Sequence, residues 1–282
     1  MKWTSEAEAA IRKVPVFAQI KVRQRVEREA AHSGKTEIGL EEVVASRRRY
    51  MEQMTTEIQG YQLDVCFGPG GCPNRAGISD GLLVAIDSVL KNEDLLSFLK
   101  SQINGELKFH HEFRVSIAEC PNACSQPQIK DIGIIAVLSP RVTTVACSEC
   151  RACETICPDK AVKIEYGKPF VDAGLCLMCG QCIGVCETGT IADGNWGYRV
   201  QVAGRLGRHP RLGRELPGIF NEAEVVEIVR ACIELYKSRS RNGQRFADVF
   251  QEADYMEFTR RFGKPMGDPD DSSDDVPEEP VL

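Results

Sequence analysis

Thirteen cysteines punctuate a chain of 282 residues, and twelve of them fall into patterns that could do chemistry. Eight form two copies of C-x2-C-x2-C-x3-C: Cys147, Cys150, Cys153 and Cys157 in CSECRACETICP, and Cys176, Cys179, Cys182 and Cys186 in CLMCGQCIGVCE. Three closely spaced thiolates can cap three irons of one [4Fe–4S] cube, and the fourth cysteine of such a run holds the other cube. By that rule Cys147, Cys150, Cys153 and Cys186 form one ligand set, and Cys157, Cys176, Cys179 and Cys182 form a second. Zinc is the competing chemistry, because paired Cys-x2-Cys elements also make tetrahedral zinc sites. Zinc needs only four thiolates, however, and does not call for a third and fourth cysteine at these spacings twice over. Four more cysteines make a C-x5-C (Cys66, Cys72) and a distant C-x3-C (Cys120, Cys124), set in Gly- and Pro-rich loops. A structural zinc or four unrelated thiols are the alternatives for these, and their position at chain reversals favours a metal over packing. Cys232, in the apolar run VVEIVRACIEL, reads as a core residue.

The elements that must position these thiols are those of an α+β protein. Hydrophobic content of 43% and charged content of 27% suit a globular chain. A net charge of −6 argues against a general nucleic-acid role. The longest apolar run, Ile132 to Leu138, has the length of a strand and not of a membrane span. The first residues, MKWTSEAEAAIRK, lack a secretory apolar segment, and so many cysteines without one point to metal ligation in a reducing cytoplasm. Residues 1–55 read as a three-helix module. Ser5 and Glu8 suggest a capping box, Pro15 a break, and residues 16–31 and 40–54 two further helices, the last carrying Arg47, Arg48 and Arg49 on what reads as a solvated face. Beyond Gly60, a helix is expected over 79–101 with an irregularity near Asn92. Strands are expected at 113–117, 132–138 and 198–203, and a short hairpin between the two cysteine runs. Asn221 should cap a helix running to Lys237, and another helix should follow over 244–261. Residues 263–282, acidic and Pro-rich, are expected to be disordered.

Two resemblances give these pieces a context. WTSEAEAAIRKVPVFAQIKVRQRVEREA and the helix after it resemble a small helical module at the C-terminal end of a subunit of light-independent protochlorophyllide reductase, which implies docking or packing and not chemistry. The C-x5-C…C-x3-C set, with CPNACSQPQIKDIGI around it and GYRVQVAGRLGRHPRLG and NGQRFADVF further on, resembles the cluster motif of siroheme sulfite and nitrite reductases. That resemblance covers residues 60–262. It implies a sulfite-reductase-like domain built from 60–143 and 194–262, with a bacterial-type ferredoxin domain inserted at 144–193. It also implies that Cys66, Cys72, Cys120 and Cys124 hold a third [4Fe–4S] cluster, with Cys124 the candidate bridge to siroheme.

The chain departs from the family in two places. The half-domain that supplies part of the family's substrate cations is replaced by the helical module. The family's Lys-x-Lys before C-x3-C is here Glu112-Phe113-Arg114, and a carboxylate facing sulfite would repel it. Arg114 is the cation kept, and His110 and His111 stand nearby as candidate proton donors. The basic loop Arg205, Arg208, His209, Arg211, Arg214 has two readings: a cradle for tetrapyrrole carboxylates or an anion, through Arg205, Arg208 and Arg211, or a solvated, partner-facing loop. The expected function is an iron–sulfur oxidoreductase component. Two ferredoxin-type clusters would pass electrons to a third centre, with siroheme as a further cofactor and a redox partner or other subunits of a complex (or a homo-oligomer) around it. The alternative is a siroheme-dependent sulfite or nitrite reductase, and a purely structural module is the weakest reading.

Overall fold

The computed structural model describes residues 1–14, 16–56 and 58–264. The chain divides into two compact units: 1–58 with 105–110, and 59–104 with 111–282.

In the first unit, β1 (Lys2–Trp3) leads into α1 (Ser5–Arg12), followed by α2 (Val16–His32), β2 (Glu37–Ile38) and α3 (Leu40–Thr56). The cap of α1 is Thr4 and not the expected Ser5: Thr4 is extended, and its side chain accepts the Ala7 amide. β1 and β2 pair in parallel, a ribbon too short to register in the residue pattern. Ala7, Ile11, Val26, Ala30, Ile38 and Val43 form the core, with Trp3 packed against it. The Trp3 indole donates to Glu27 at 2.9 Å. Within the arginine run, Arg49 pairs with Glu29. Pro15, the expected breaker, lies outside the described residues.

The second unit is built on a five-stranded mixed sheet. β3 (Tyr61–Val65) is followed by α4 (Asp80–Asn92) and α5 (Leu95–Gln102), then by β4 (Phe113–Ala118) and β5 (Ile132–Val142). Next come α6 (Ala152–Ile156), the hairpin β6 (Val162–Glu165) and β7 (Lys168–Val171), α7 (Gln181–Gly184) and β8 (Ile191–Val202). β9 (Arg214–Glu215), α8 (Glu222–Arg239), α9 (Phe246–Val249) and α10 (Glu252–Phe262) complete it. The sheet order is β3-β4-β5-β8-β9. The first three strands are parallel; β8 and β9 join antiparallel. Strand alternation puts Phe113, Val115 and Ile117 on one face and Arg114 and Ser116 on the other, and Ser116 is buried as fully as the first three. Phe113 meets Tyr236 of α8 and Phe246 of α9 with ring centroids 5.2 and 5.6 Å apart. Cys232 is fully buried in α8, as its apolar run implies.

Three differences from the sequence reading have physical causes. The irregularity expected near Asn92 in the helix over 79–101 is a full break into two helices, because Asp94 turns left-handed (φ 43°) and caps α5 with its side chain. The helix expected over 244–261 is also two, broken at Phe250 and Gln251, where Gln251 is extended and starts α10 afresh. β5 and β8 run beyond their expected ends as a long antiparallel arm, with Pro140 opposite Asp193 and Val142 opposite Ile191. Pro140 sits beside a bulge, and Gly194 and Gly197 disguise the return strand, since both residue types disfavour strand interiors. The chain therefore leaves at Val142 and returns next to it at Ile191, and the intervening residues carry both cysteine runs. Of the tail expected to be disordered, Gly263 ends α10 and Lys264 is fixed by its amide to Pro217 and its ammonium to Glu224; residues 265–282 lie outside the described residues.

Candidate iron–sulfur centres

Each C-x2-C-x2-C-x3-C run makes a tight loop followed by one turn of helix, α6 or α7. The two loops repeat the same backbone. Glu149 and Met178, each two residues after the first cysteine, are both left-handed (φ 56° and 59°). That conformation points their amides back at sulfur, at 3.3 Å from Cys147 and 3.4 Å from Cys176. Arg151 and Gly180 are left-handed at the next equivalent position, and Lys160 and Gly189 at the one after the runs. The hairpin between the runs turns on Tyr166-Gly167, both with positive φ, the type I′ geometry of a two-residue connection.

Two cavities result. One, of about 290 Å³ counting space continuous with solvent, is lined by Cys147, Cys150, Cys153 and Cys186. The other, of about 320 Å³ on the same measure, is lined by Cys157, Cys176, Cys179 and Cys182. In each, three thiols come from one run and the fourth from the other. Burial pushes the Cys182 thiol up to about 12, and Cys176, Cys179 and Cys157 add to the shift. Cys153 is raised in the same way by burial, then by Cys147 and Cys186. Cys186 behaves differently: burial works against its thiolate, but the Ile191 amide, the Thr188 hydroxyl and the Thr190 and Gly189 amides outweigh it and hold the pKa below its ordinary value. Among the described residues no group of three or more His, Cys, Asp or Glu forms a site for a single metal ion. These thiols stand around cavities instead.

The third set sits at the ends of β3 and β4. Parallel pairing of Val65 with Ile117 brings Cys66 level with the segment leading to Cys120, and the Cys66 amide donates to the Ile117 carbonyl at 3.1 Å. Burial raises the Cys120 thiol, with Cys66, Cys124 and Cys72 as further causes, so all four thiols share one neighbourhood. Cys124 is the exposed member, with the Asn122 side-chain amide 3.0 Å from its sulfur. Glu119, which the sequence reading passed over, organises this loop. Its amide donates to Cys66 at 3.3 Å, and its buried carboxylate accepts the Ser79 amide and hydroxyl at 2.9 and 2.8 Å. Its other oxygen lies buried without a partner, under Gly68, where a side chain would overlap it. Only its place beside Cys120 hinted at this role.

The remaining candidates are distributed unevenly. Glu112 does not face an anion. It is 2% exposed and accepts the amides of Gln59 (2.9 Å) and Gly60 (3.2 Å) and the side chain of Gln62 (2.7 Å). The expected repulsion of substrate by this carboxylate is therefore corrected: it is a structural acceptor. Arg114 is half-buried, its pKa lowered by burial and then by Arg245, against the pull of Asp131, Glu112 and Asp64. Asp131, absent from the sequence reading, is buried, its pKa raised by burial, and held by Arg245 and the Arg114 amide, each at 2.9 Å. His110 falls in the first unit and His111 in the second. In the basic loop, Arg205 pairs with Asp248. Arg211 donates to the carbonyls of Ala203 and Ala247, and Arg214 grips Glu252 and lies over the Tyr255 ring at 3.5 Å. These arginines tie the loop to α9 and α10, a role neither reading foresaw. Arg208 and His209 are exposed.

A mixed sheet ending in thiol-bearing loops, with two further four-thiol cavities on an arm of that sheet, is the arrangement of a protein built to present cysteine sets. Residues 82–269 match the model of the nitrite and sulphite reductase 4Fe-4S domain, more than half of the chain, and the protein belongs to that family. The match takes in Cys120, Cys124 and both cysteine runs; Cys66 and Cys72 precede it. Residues 3–47 match the model of the proto-chlorophyllide reductase 57 kD subunit. The chain is 27% identical over 189 residues to a coenzyme F420-dependent sulfite reductase of Methanocaldococcus jannaschii, a match that covers 66% of this chain and 29% of that protein. It thus spans under a third of that relative's length. Among solved structures, dissimilatory sulfite reductase I aligns over 83% of this chain and 60% of its own at 14% identity, with a TM-score of 0.47. The NirA protein of Mycobacterium tuberculosis aligns over 68% and 26% at 18% identity, with a TM-score of 0.38. No described helix is long and apolar enough to cross a membrane.

Proposed function

We propose that the protein is the electron-carrying component of a sulfite-reductase-like oxidoreductase with three [4Fe–4S] clusters. Cys147, Cys150, Cys153 and Cys186 would hold one, Cys157, Cys176, Cys179 and Cys182 a second, and Cys66, Cys72, Cys120 and Cys124 a third. The observation that carries this reading is the exchange of the fourth thiol between runs: each cavity is ringed by three cysteines of one run and the last of the other, the ligand pattern of paired cubes. Such clusters supply one-electron transfer, and the protein fixes their spacing and surroundings. The arm of β5 and β8 supports the order. Leu138 takes Cys179 as a bridge partner and donates its amide to Met178 at 2.8 Å. β5 also pairs with β4 up to Ala118, two residues before Cys120. Trp196, opposite Leu138, lies against Gly77 of the loop beyond Cys72. Electrons would enter from a partner protein or another subunit.

A second reading, a siroheme-dependent sulfite or nitrite reductase, is favoured by one observation: Cys124 alone of its set is exposed, so its sulfur is free to bridge to a further group. The Arg205 and Arg211 side chains, tied into their own unit, lend it no support. Anaerobically purified protein separates the readings. About twelve irons per chain, from three four-iron cubes, with a broad violet shoulder and no tetrapyrrole bands, supports the electron carrier. Soret and red bands that Cys124→Ser abolishes, while the other clusters persist, support the siroheme enzyme. Iron near four or eight per chain overturns the three-cluster assignment.

A further inference from the structure

The two cavities on the β5–β8 arm are alike in backbone and unlike in lining. At three equivalent positions of the lining, the Cys147/Cys150/Cys153/Cys186 cavity presents Ser148, Arg151 and Thr188, whereas the Cys157/Cys176/Cys179/Cys182 cavity presents Leu177, Gly180 and Asp159. A hydroxyl faces an alkyl group, a guanidinium faces nothing, and a hydroxyl faces a carboxylate. The hydrogen bonds follow suit. Cys186 receives the Ile191 amide at 3.2 Å and has the Thr188 hydroxyl at 3.5 Å. The Thr188 hydroxyl is in turn 2.8 Å from that of Thr190, which donates to the Ala146 carbonyl. Its counterpart Cys157 receives the Ala161 amide at 3.3 Å, and Pro158, directly after it, has no amide to give. Cys150 is exposed in the first cavity, while no thiol of the second is.

Resting on the two-cluster reading above, we infer that the chain sets the two centres at different reduction potentials. The Cys147/Cys150/Cys153/Cys186 centre is the higher, and the Cys157/Cys176/Cys179/Cys182 centre, the one against β5, the lower. Taking up one electron, from [4Fe–4S]2+ to [4Fe–4S]+, adds one negative charge and no proton. Donors to sulfur, a nearby cation and solvent exposure stabilise that charge; a nearby carboxylate and apolar walls oppose it. The hydroxyls, the guanidinium, the exposure of Cys150 and the Asp159 carboxylate act in one direction; the remaining apolar walls, Ile164, Pro169, Val185 and Ile191 against Pro140 and Val162, do not set the second centre apart. Thr188, Arg151 and Asp159 are the tuning residues, and the centre nearest the third thiol set is the stronger reductant.

The equivalence of positions 159 and 188 supplies the test. Holoprotein is reduced stepwise with dithionite under anaerobic conditions, and each one-electron step is followed by electron paramagnetic resonance. Thr188→Asp should lower the potential of one step, and Asp159→Thr should raise that of another. In the unmodified protein the first of these steps must lie above the second. Arg151→Gln should lower the same step as Thr188→Asp, which covers the case in which position 188 tolerates no acid. Reversed order, both substitutions moving one step, or neither moving any overturns the inference. Iron content measured on each sample distinguishes its failure from that of the underlying reading: without the two cubes, about eight irons, the two-cluster reading itself fails.

Discussion

Glu112 is the position where residue pattern and structure give opposite expectations, and one substitution separates them. If its carboxylate looked onto an anion site, Glu112→Lys would restore the cation expected there and strengthen anion binding at little cost, within the ~0.5 kcal/mol usual for a surface change. The structure says otherwise. Oε1 accepts two backbone amides, Gln59 and Gly60, and Oε2 accepts the Gln62 side chain, all at a site 2% exposed. A lysine there offers no acceptor. The buried Gly60 amide left without a partner costs about 1–3 kcal/mol, and the part-buried Gln59 amide adds less, before the ammonium's own desolvation is counted. Together these are a sizeable part of the roughly 5–15 kcal/mol that holds a domain together. The anchored segment cannot retreat: Gly60 has φ 89°, and its backbone packs against Leu95 and Leu96, while its carbonyl accepts the Phe113 amide. With a urea dependence of ~1–3 kcal/mol per molar, the midpoint should fall by about 1 M or more. Glu112→Gln should lose only ~1 kcal/mol, because its carbonyl oxygen keeps both amides and Gln62 can turn its own oxygen to the new amide. Urea denaturation of anaerobic holoprotein, with anion binding measured alongside, is the assay. Glu112→Lys with an unchanged midpoint would refute the structural role.

Two further outcomes follow from the same kind of contact. Gly68→Ala should displace Glu119, whose carboxylate occupies the space a Cβ would need, and with it the loop carrying Cys66 and Cys72. Iron should fall by about four per chain while the signals of the two cysteine runs persist; full iron content would contradict this. The Glu224 pKa is held below its ordinary 4.5: burial opposes its carboxylate, but the Lys264 ammonium and the Asn221 amide outweigh it. A depressed folded pKa stabilises fully above the unfolded value and ceases to do so as pH falls through the folded one. Glu224→Gln should therefore cost about 0.5 kcal/mol near pH 7, discounted for a pair more than a third exposed, and progressively less as pH falls through the folded-state pKa; a cost independent of pH would exclude the ion pair as its source.

What was legible in the residues was whatever depended on type and spacing. Cysteine spacing marked both runs and assigned Cys186 to the first set and Cys157 to the second. The stretch from Phe113 to Ile117 marked a strand, and Asn221 marked the start of α8, where both arms of a capping box form with Glu224. What was not legible depended on partners far along the chain. The direction in which Glu112 points is decided by residues 59–62, some fifty positions earlier. The arginines at 205, 211 and 214 look like a free basic loop until α9 and α10 fold back against them. The extent of β5 and β8 was hidden because Pro140, Gly194 and Gly197 are poor strand formers: Pro140 sits beside a bulge, and the two glycines stand where a side chain would meet the Ser139 and Phe220 carbonyls.

The repeat within the cysteine runs shows how the two kinds of information combine. Cysteine spacing alone makes the halves look equivalent, and the backbone agrees: Glu149 and Met178 adopt the same left-handed turn, although neither residue type favours it. Such a conformation costs of order 1–3 kcal/mol. Two unlike side chains adopting it at equivalent positions imply that something common to both loops enforces it, and the shared feature is the amide turned to the first sulfur of each run. The side chains then break the equivalence at Ser148 and Leu177, Arg151 and Gly180, Thr188 and Asp159. Gly180 has a steric reason, since its φ is 73° and a side chain there would crowd Leu138; the other two pairs line solvent-accessible cavities at turns of the same shape. The differences alter the electrostatics of the thiols, which is where two unequal electron sites, as against two copies of one, would be set.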